Sequence, residues 1–405
     1  MAIISAMRIA IFTNNYLPRV SGVAVAVDFQ EKALRKLGHS TMVIAPDYAF
    51  GEESEKVRVV RVKSLSFIRQ RFAIPLNFLD KTFIDDQVAR FDPNVIHTHH
   101  PFLLGKAALE LADQLQVPLV YTFHTLYDMF AHYFMMDTEA VRKQVRDYVV
   151  NFCNCCDLVL IPTEPIRQYM IENGVDAATE VLPTGIDFSR FDHVSNTRVK
   201  KRRKQLRLRR FSETLLYVGR ISREKNLTLL VQALKKLKDQ ARNACLVVAG
   251  EGPARKALEK EAARLGISDR IIWLGFVSQH ELPEYYYLAD AFVFPSFSDT
   301  QGIVLYEAGA AGIPIVALDS MAARAIVKDG ENGLFAENDP KHFAAKIMEV
   351  LDNREKFEHS FDRKQFSSDT LIRKLEDHYQ EAIEKGRTRQ SRPLGTIFFP
   401  FFNPP

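Results

Sequence analysis

Asp299 and Glu307 stand eight positions apart, between an apolar stretch at 291–296 (AFVFPS) and a second at 315–317. A polar turn through Ser298, Asp299 and Thr300 leads into a helical pattern around Gly302. Strand, turn, helix and strand predict a βαβ unit. Its helix begins at the carboxyl end of a strand, where free N–H groups and the helix dipole favour an anion. Eight positions are just over two helical turns, so the two carboxylates cannot meet on one ligand atom. They suit hydroxyls at separate points of an elongated ligand. A cationic pair, Arg220 and Lys225, lies in GRISREKN, after the apolar strand 215–218 and before an amphipathic helix at 227–237. Taken alone, two basic residues in such a loop are weak evidence for an anion site. Arg223 reads as a surface charge. Each acid alone also reads as a helix cap or a solvated helix residue.

His97, His99 and His100 end a strand that opens at Val95, and His124 follows a strand at 119–123. His97 and His99 share a strand face, but no third ligand of known spacing appears, and no metal site is expected. Strand ends in open α/β sheets are where ligands bind, although a lone histidine is more often structural. Gly22 ends a polar turn after strand 8–13 and precedes a helix expected over 27–37. It reads as a close-approach glycine or as part of an ordinary loop. Gly250 opens a Gly-Glu-Gly triplet after strand 244–249, but Arg255 stands where a dinucleotide fingerprint needs its last glycine, so NAD is excluded. Cys153, Cys155, Cys156 and Cys245 form neither a disulfide framework nor a zinc spacing, and read as packing in a reducing cytoplasm.

The chain of 405 residues, 47% apolar, is long enough for two or three domains with substantial cores. Apolar strands alternate with helical patterns throughout, so the class is α/β. The net charge of +4 implies no nucleic acid by itself. No apolar run is long enough to span a bilayer, and the start MAIISAMR has no signal-peptide core. Three stretches point outward. From Lys200 to Arg210 eight of eleven residues are basic, which suits anionic lipid headgroups, nucleic acid or a solvated helix face. Phe67 to Phe72 mixes aromatic and basic residues. The tail from Lys385 carries Arg387, Arg389 and Arg392 and then a Phe-rich end, 397–402, that touches a membrane or partner or docks on the protein itself. The aromatic and Met-rich segment 127–136 reads as core by default, with an acceptor- or membrane-facing surface as the alternative.

The 294–317 stretch resembles the acid-x7-Glu signature of retaining glycosyltransferases of the GT-B fold, the large family of sucrose, mannoside and glycolipid synthases. Its Asp299-Thr300-Gln301-Gly302 version is similar to bacterial diacylglycerol glucosyltransferases. The first acid is usually Glu in the family and is Asp299 here. Gly219 to Asn226 is similar to the family's G-R-x4-K-N segment, His97 to His99 to its H-x-H strand end, and Gly330 to Gly333 to its G-x-x-G element. Gly22 matches a Gly-rich loop in part, with Ser21 replacing the first glycine.

The resemblance implies two Rossmann-like domains facing across a cleft that holds the donor. An acceptor-binding domain would span 1–188, a nucleotide-sugar domain 189–375, and a returning helix with a basic, Phe-rich tail 376–405. It implies donor-binding roles for Gly22, Arg220, Lys225, Gly250, Val277, Asp299, Thr300, Gln301, Gly302 and Glu307. Phe276 or its backbone would serve the base. Catalytic roles fall to His124, Asp299, Arg220 and Lys225. The first domain offers no carboxylate with the credentials of a nucleophile, which favours front-face retention over a covalent intermediate. No cofactor is implied, because Arg220, Lys225 and the helix start near Gly302 would stand in for a metal ion. The expected reaction moves a hexose from a UDP-glucose-like donor to a membrane lipid such as diacylglycerol, on the cytoplasmic face of an anionic membrane. A soluble sugar or phosphosugar acceptor, or a non-catalytic membrane-associated scaffold, are the alternatives.

Overall fold

The structure is a computed structural model that describes residues 6–19, 21–48, 58–67, 72–76, 80–129, 138–357 and 361–388. The chain divides into two compact units, Met1–Gly185 with Ser368–Pro405, and Ile186–Ser367.

The strands of the first unit are β1 (Arg8–Phe12), β2 (Ser40–Pro46), β3 (Val59–Val62), β4 (Ser64–Phe67), β5 (Phe72–Pro75), β6 (Val95–Thr98), β7 (Leu119–Thr122), β8 (Leu158–Ile161) and β9 (Thr179–Val181). Seven make a parallel sheet in the order β3-β2-β1-β6-β7-β8-β9, while β4 and β5 pair as an antiparallel hairpin. Its helices are α1 (Gly22–Lys36), α2 (Lys81–Phe91), α3 (Leu104–Leu115), α4 (Glu139–Asn154) and α5 (Glu164–Glu172). The second unit holds α6 (Ser189–Asp192), α7 (Asn196–Gln205), α8 (Leu227–Asp239), α9 (Arg255–Arg264), α10 (Leu282–Leu288), α11 (Ile303–Ala310), α12 (Met321–Arg324), α13 (Pro340–Asp352) and α14 (Arg354–Phe357). The last helix, α15 (Ser368–Lys385), belongs to the first unit.

The second unit's strands are β10 (Glu213–Val218), β11 (Ala244–Ala249), β12 (Ile271–Gly275), β13 (Ala291–Phe294), β14 (Ile315–Leu318) and β15 (Gly333–Ala336). They form a six-stranded parallel sheet in the order β12-β11-β10-β13-β14-β15. Its strands are apolar on both faces because both faces are covered. Leu215 and Tyr217 of β10 pack on one side with α8 and α13, and Leu216 and Val218 on the other with α10 and α11.

In each sheet the chain adds strands in one direction and then reverses, between β1 and β6 and between β10 and β13. The crevice outside the carboxyl ends of the strands at such a switch point is where open α/β sheets bind ligands.

Several expectations shift. The first helix begins at Gly22 and not near residue 27, because Ser21 caps it: its Oγ accepts the Ala24 N–H at 3.1 Å. Residues 368–375, expected with the second domain, lie in the first unit, where Leu371, Ile372 and Leu375 share a core with Val27 and Leu34 of α1. The basic run is not simply a free charged face. Just upstream, Arg198 pairs with Glu284, and within the run Arg202 binds Glu281 and Glu284. Arg203 donates to the Leu288 carbonyl and Arg210 to that of Asp269. Lys200, Lys201, Lys204, Arg207 and Arg209 remain exposed. The Phe-rich tail from residue 389, most of the Met-rich segment (130–136) and the middle of the 67–72 stretch lie outside the described residues. Among the described residues no helix is long and apolar enough to cross a membrane.

Candidate functional site

Around the β10/β13 switch point the second unit gathers most of the residues marked in the sequence. Arg220 and Lys225 follow β10, Gly250 follows β11, Val277 follows β12, and Asp299 to Gly302 follow β13. Three of these loops are laced backbone to backbone. Gly219 N–H donates to the Ala249 carbonyl at 3.0 Å, Ile221 N–H to Glu251 at 2.9 Å, and Gly250 N–H to Gly275 at 2.8 Å. A Cβ on residue 250 would lie 1.9 Å from the Gly219 carbonyl oxygen, and one on residue 252 would lie 2.1 Å from that of Ile221. The Gly-Glu-Gly triplet is therefore required for loop packing whatever it binds. Gly302 has φ +64° as the residue before α11 and is hemmed by Leu305 and Phe294, so a side chain there is strained.

Inside this frame Lys225 Nζ meets Asp299 Oδ1 at 2.5 Å, with both side chains about one-fifth exposed (20% and 21%). Ser298 Oγ ties the same two loops through the Glu224 carbonyl at 3.4 Å. The Arg220 backbone carbonyl accepts from Tyr217 at 2.9 Å, while its guanidinium has no ion pair among the described residues. One cation at the strand ends is thus balanced by a carboxylate and the other is available to an anion. Ser296, Ser298, Thr300 and Gln301 are buried, so the turn that presents Asp299 is packed.

Glu307 has a different environment. It is buried on α11 and binds Arg190 through Oε1, while Tyr286 donates to Oε2 at 2.6 Å. Burial raises the Glu307 carboxyl above its ordinary range, against the pull of Arg190 and the Tyr286 hydrogen bond. Sequence reasoning missed Arg190 and Tyr286; neither sits in a motif. Phe276 is 71% exposed beside Val277.

Gly22 and His124 belong to the first unit. Among the described residues, nothing beyond its chain neighbours and its own helix backbone lies within 4 Å of a Cβ built on Gly22, so packing there imposes no glycine. His124 is half-buried and lines an open cavity with Gln30, Thr122, Thr184, Ser368 and Leu371. Its Nε2 is 2.8 Å from Nδ1 of the buried His99. His97 bridges the Tyr379 hydroxyl at 2.6 Å and the Thr122 hydroxyl at 2.7 Å, and His100 Nδ1 accepts the Asn14 N–H at 3.1 Å. Burial holds His124 at about 4, against an ordinary 6.5. Burial first, and then neighbouring charges, hold His97 and His100 at about 3. His99 is pushed well below the ordinary range by burial and the other histidines. All four rings are neutral at physiological pH.

Among the described residues, His99 Nε2 is buried without a hydrogen-bond partner. A bare lone pair costs less to bury than an unpaired N–H, so the His99 proton belongs on Nδ1, donating to His124. His124 then carries its own proton on Nδ1 and is a donor from that atom.

Over residues 20–190 the sequence matches the profile of Glycosyltransferase Family 4, and over 199–366 that of Glycosyl transferases group 1. It is 30% identical over 387 residues to the alpha-monoglucosyldiacylglycerol synthase of Streptococcus pneumoniae, covering 93% of this chain and 86% of that one. It is 28% identical over 399 residues to the enzyme of the same name from Acholeplasma laidlawii, covering 95% and 100%. Anabaena HepE, crystallised with UDP and glucose, superposes with a TM-score of 0.74 at 19% identity, over 93% of this chain and all (100%) of that one. At that identity the likeness is one of fold.

The tautomer is open to test. In ¹⁵N-histidine spectra at about pH 6, His124 is expected neutral and protonated on Nδ1. A proton on Nε2, or titration near 6.5, contradicts the arrangement.

Proposed function

The chain belongs to the group 1, family 4 glycosyltransferases of the GT-B fold, and we propose that it moves a hexosyl residue from UDP-glucose or a close analogue to diacylglycerol, with retention. The acceptor rests on one observation above the others. Across 93% of its length the chain is 30% identical to a protein named as an alpha-monoglucosyldiacylglycerol synthase.

The chemistry follows from charge. As the bond from the anomeric carbon to the diphosphate breaks, negative charge grows on the phosphate oxygens. Arg220, without an ion pair among the described residues, and Lys225, shared with Asp299, meet that charge. Asp299 then exchanges part of its bond to Lys225 for a hydroxyl of the donor sugar. The acceptor hydroxyl attacks from the face that the diphosphate leaves, and its proton passes to a leaving phosphate oxygen. His124 donates through Nδ1 to a donor-sugar oxygen. Glu307 accepts from the nucleotide ribose. Two fixed cations supply the positive charge, so no metal ion is needed, and turnover persists in EDTA.

A lipid acceptor lies at a bilayer surface, and the exposed part of α7 and the turn after it offers Lys200, Lys201, Lys204, Arg207 and Arg209 to anionic headgroups. Each contributes about 1 kcal/mol near such a surface. The arginines already paired with Glu281 and Glu284 contribute less than their number suggests.

Nucleoside diphosphate release from a panel of nucleotide sugars, with diacylglycerol micelles or soluble sugars as acceptor, tests the reaction. Arg220→Ala and Lys225→Ala are each expected to remove about 2–4 kcal/mol of transition-state stabilisation. Turnover within threefold of wild type in both variants would sink the leaving-group role. Flotation with anionic and neutral vesicles tests the surface. Binding to anionic vesicles only, weakened by salt and by charge reversal of Lys200, Lys201 and Lys204, is expected; equal binding to neutral vesicles contradicts it.

A further inference from the structure

Glu307 is 2% exposed, and both of its oxygens are held from other helices. Arg190 comes from α6 and Tyr286 from α10. Arg190 is fixed on its other side as well. Its Nη1 donates to the Gln279 backbone carbonyl at 3.2 Å and also binds the Gln279 side-chain oxygen. Gln279 lies two residues beyond Val277, in the loop after β12. One planar guanidinium therefore joins the buried acid to that loop.

A buried carboxylate with no cation takes up a proton and loses acceptor capacity. An ionised one has about four lone-pair sites, of which Arg190 and Tyr286 use two. We propose that Arg190 and Tyr286 are positioning residues for nucleotide recognition: they keep Glu307 ionised and fixed so that its remaining lone pairs accept the ribose hydroxyls, while Arg190 holds the β12 loop in register with it. This rests on the reading of Glu307 as the ribose acceptor. Arg190 and Tyr286 are the ionisable side chains facing Glu307, and α6 and α10 supply them.

A buried ion pair is also a plain packing device, and removing one partner destabilises a fold. Stability alone cannot separate the two roles, but discrimination between nucleotides can. Calorimetric affinities for UDP and 2′,3′-dideoxy-UDP give a ratio that reports only on the ribose hydroxyls. In the wild-type chain UDP is expected to bind roughly tenfold or more tightly than the dideoxy analogue, because a site built for hydroxyls rejects their absence. Arg190→Met and Tyr286→Phe should each cut that ratio to within about threefold of unity, by loss of a hydrogen bond to a charged group. Arg190→Lys, which keeps the charge without the fork, should restore part of it. Tyr286→Phe preserves the ring and decides the matter if Arg190→Met does not fold. A full wild-type ratio in folded Arg190→Met or in Tyr286→Phe overturns the inference. If Glu307→Gln also keeps the full ratio, the ribose reading itself has failed; if it alone loses the ratio, only the inference has.

Discussion

The second unit's site depends on one close approach, that of the backbone after β11 to the backbone after β10. The Gly219 carbonyl oxygen sits where a side chain on residue 250 would begin, and the Ile221 carbonyl oxygen where one on residue 252 would. Packing at that distance lets the loops share backbone hydrogen bonds, so neither has to be held by its own side chains. The side chains are left for other work. Arg220 projects from the shared frame without an ion-pair partner among the described residues, and Lys225 reaches the turn after β13. The cations are therefore placed by glycines that carry no chemistry themselves.

The two acids of the βαβ unit illustrate how environment divides labour. Asp299 is partly exposed and balanced by Lys225, a pairing that a ligand hydroxyl or phosphate can share. Glu307 is sealed from water, balanced by a planar arginine, and lifted in pKa by burial. The first carboxylate is suited to exchange partners during a reaction cycle, and the second to remain a constant part of the wall. In the first unit four neutral histidines serve a similar purpose. Their rings bind one another and nearby hydroxyls and amides, and His124, at the edge, takes its tautomer from the buried His99.

Much of this was legible in the chain. The strands ending at Val218 and Phe294, the loops after them and the acid pair were visible because buried parallel strands read as apolar runs and Gly219 and Pro295 punctuate their ends. Boundaries were less so. Ser21 is a good N-cap, yet the polar sequence around it read as a loop, and α1 began some five residues earlier than expected. The partners of Glu307 were invisible for a physical reason: Arg190 is 117 positions away and Tyr286 is 21, and no local periodicity links them. The pairing within the basic run was hidden in the same way. Its arginines look unpaired along the sequence, but Glu281 and Glu284, which neutralise Arg202, stand on and beside α10, about eighty positions on. Long-range charge pairing leaves no trace in local composition, whereas strand ends and caps do.

In the proposed reaction, fixed cations at the strand ends draw off a diphosphate while the acceptor enters from the same face. The anomeric configuration of the product measures this most directly. With UDP-α-glucose and diacylglycerol, proton NMR of the purified glycolipid should show the small H1–H2 coupling of an α-glucoside. A large coupling, marking the β-anomer, would contradict front-face retention and the roles given to Arg220, Lys225 and Asp299.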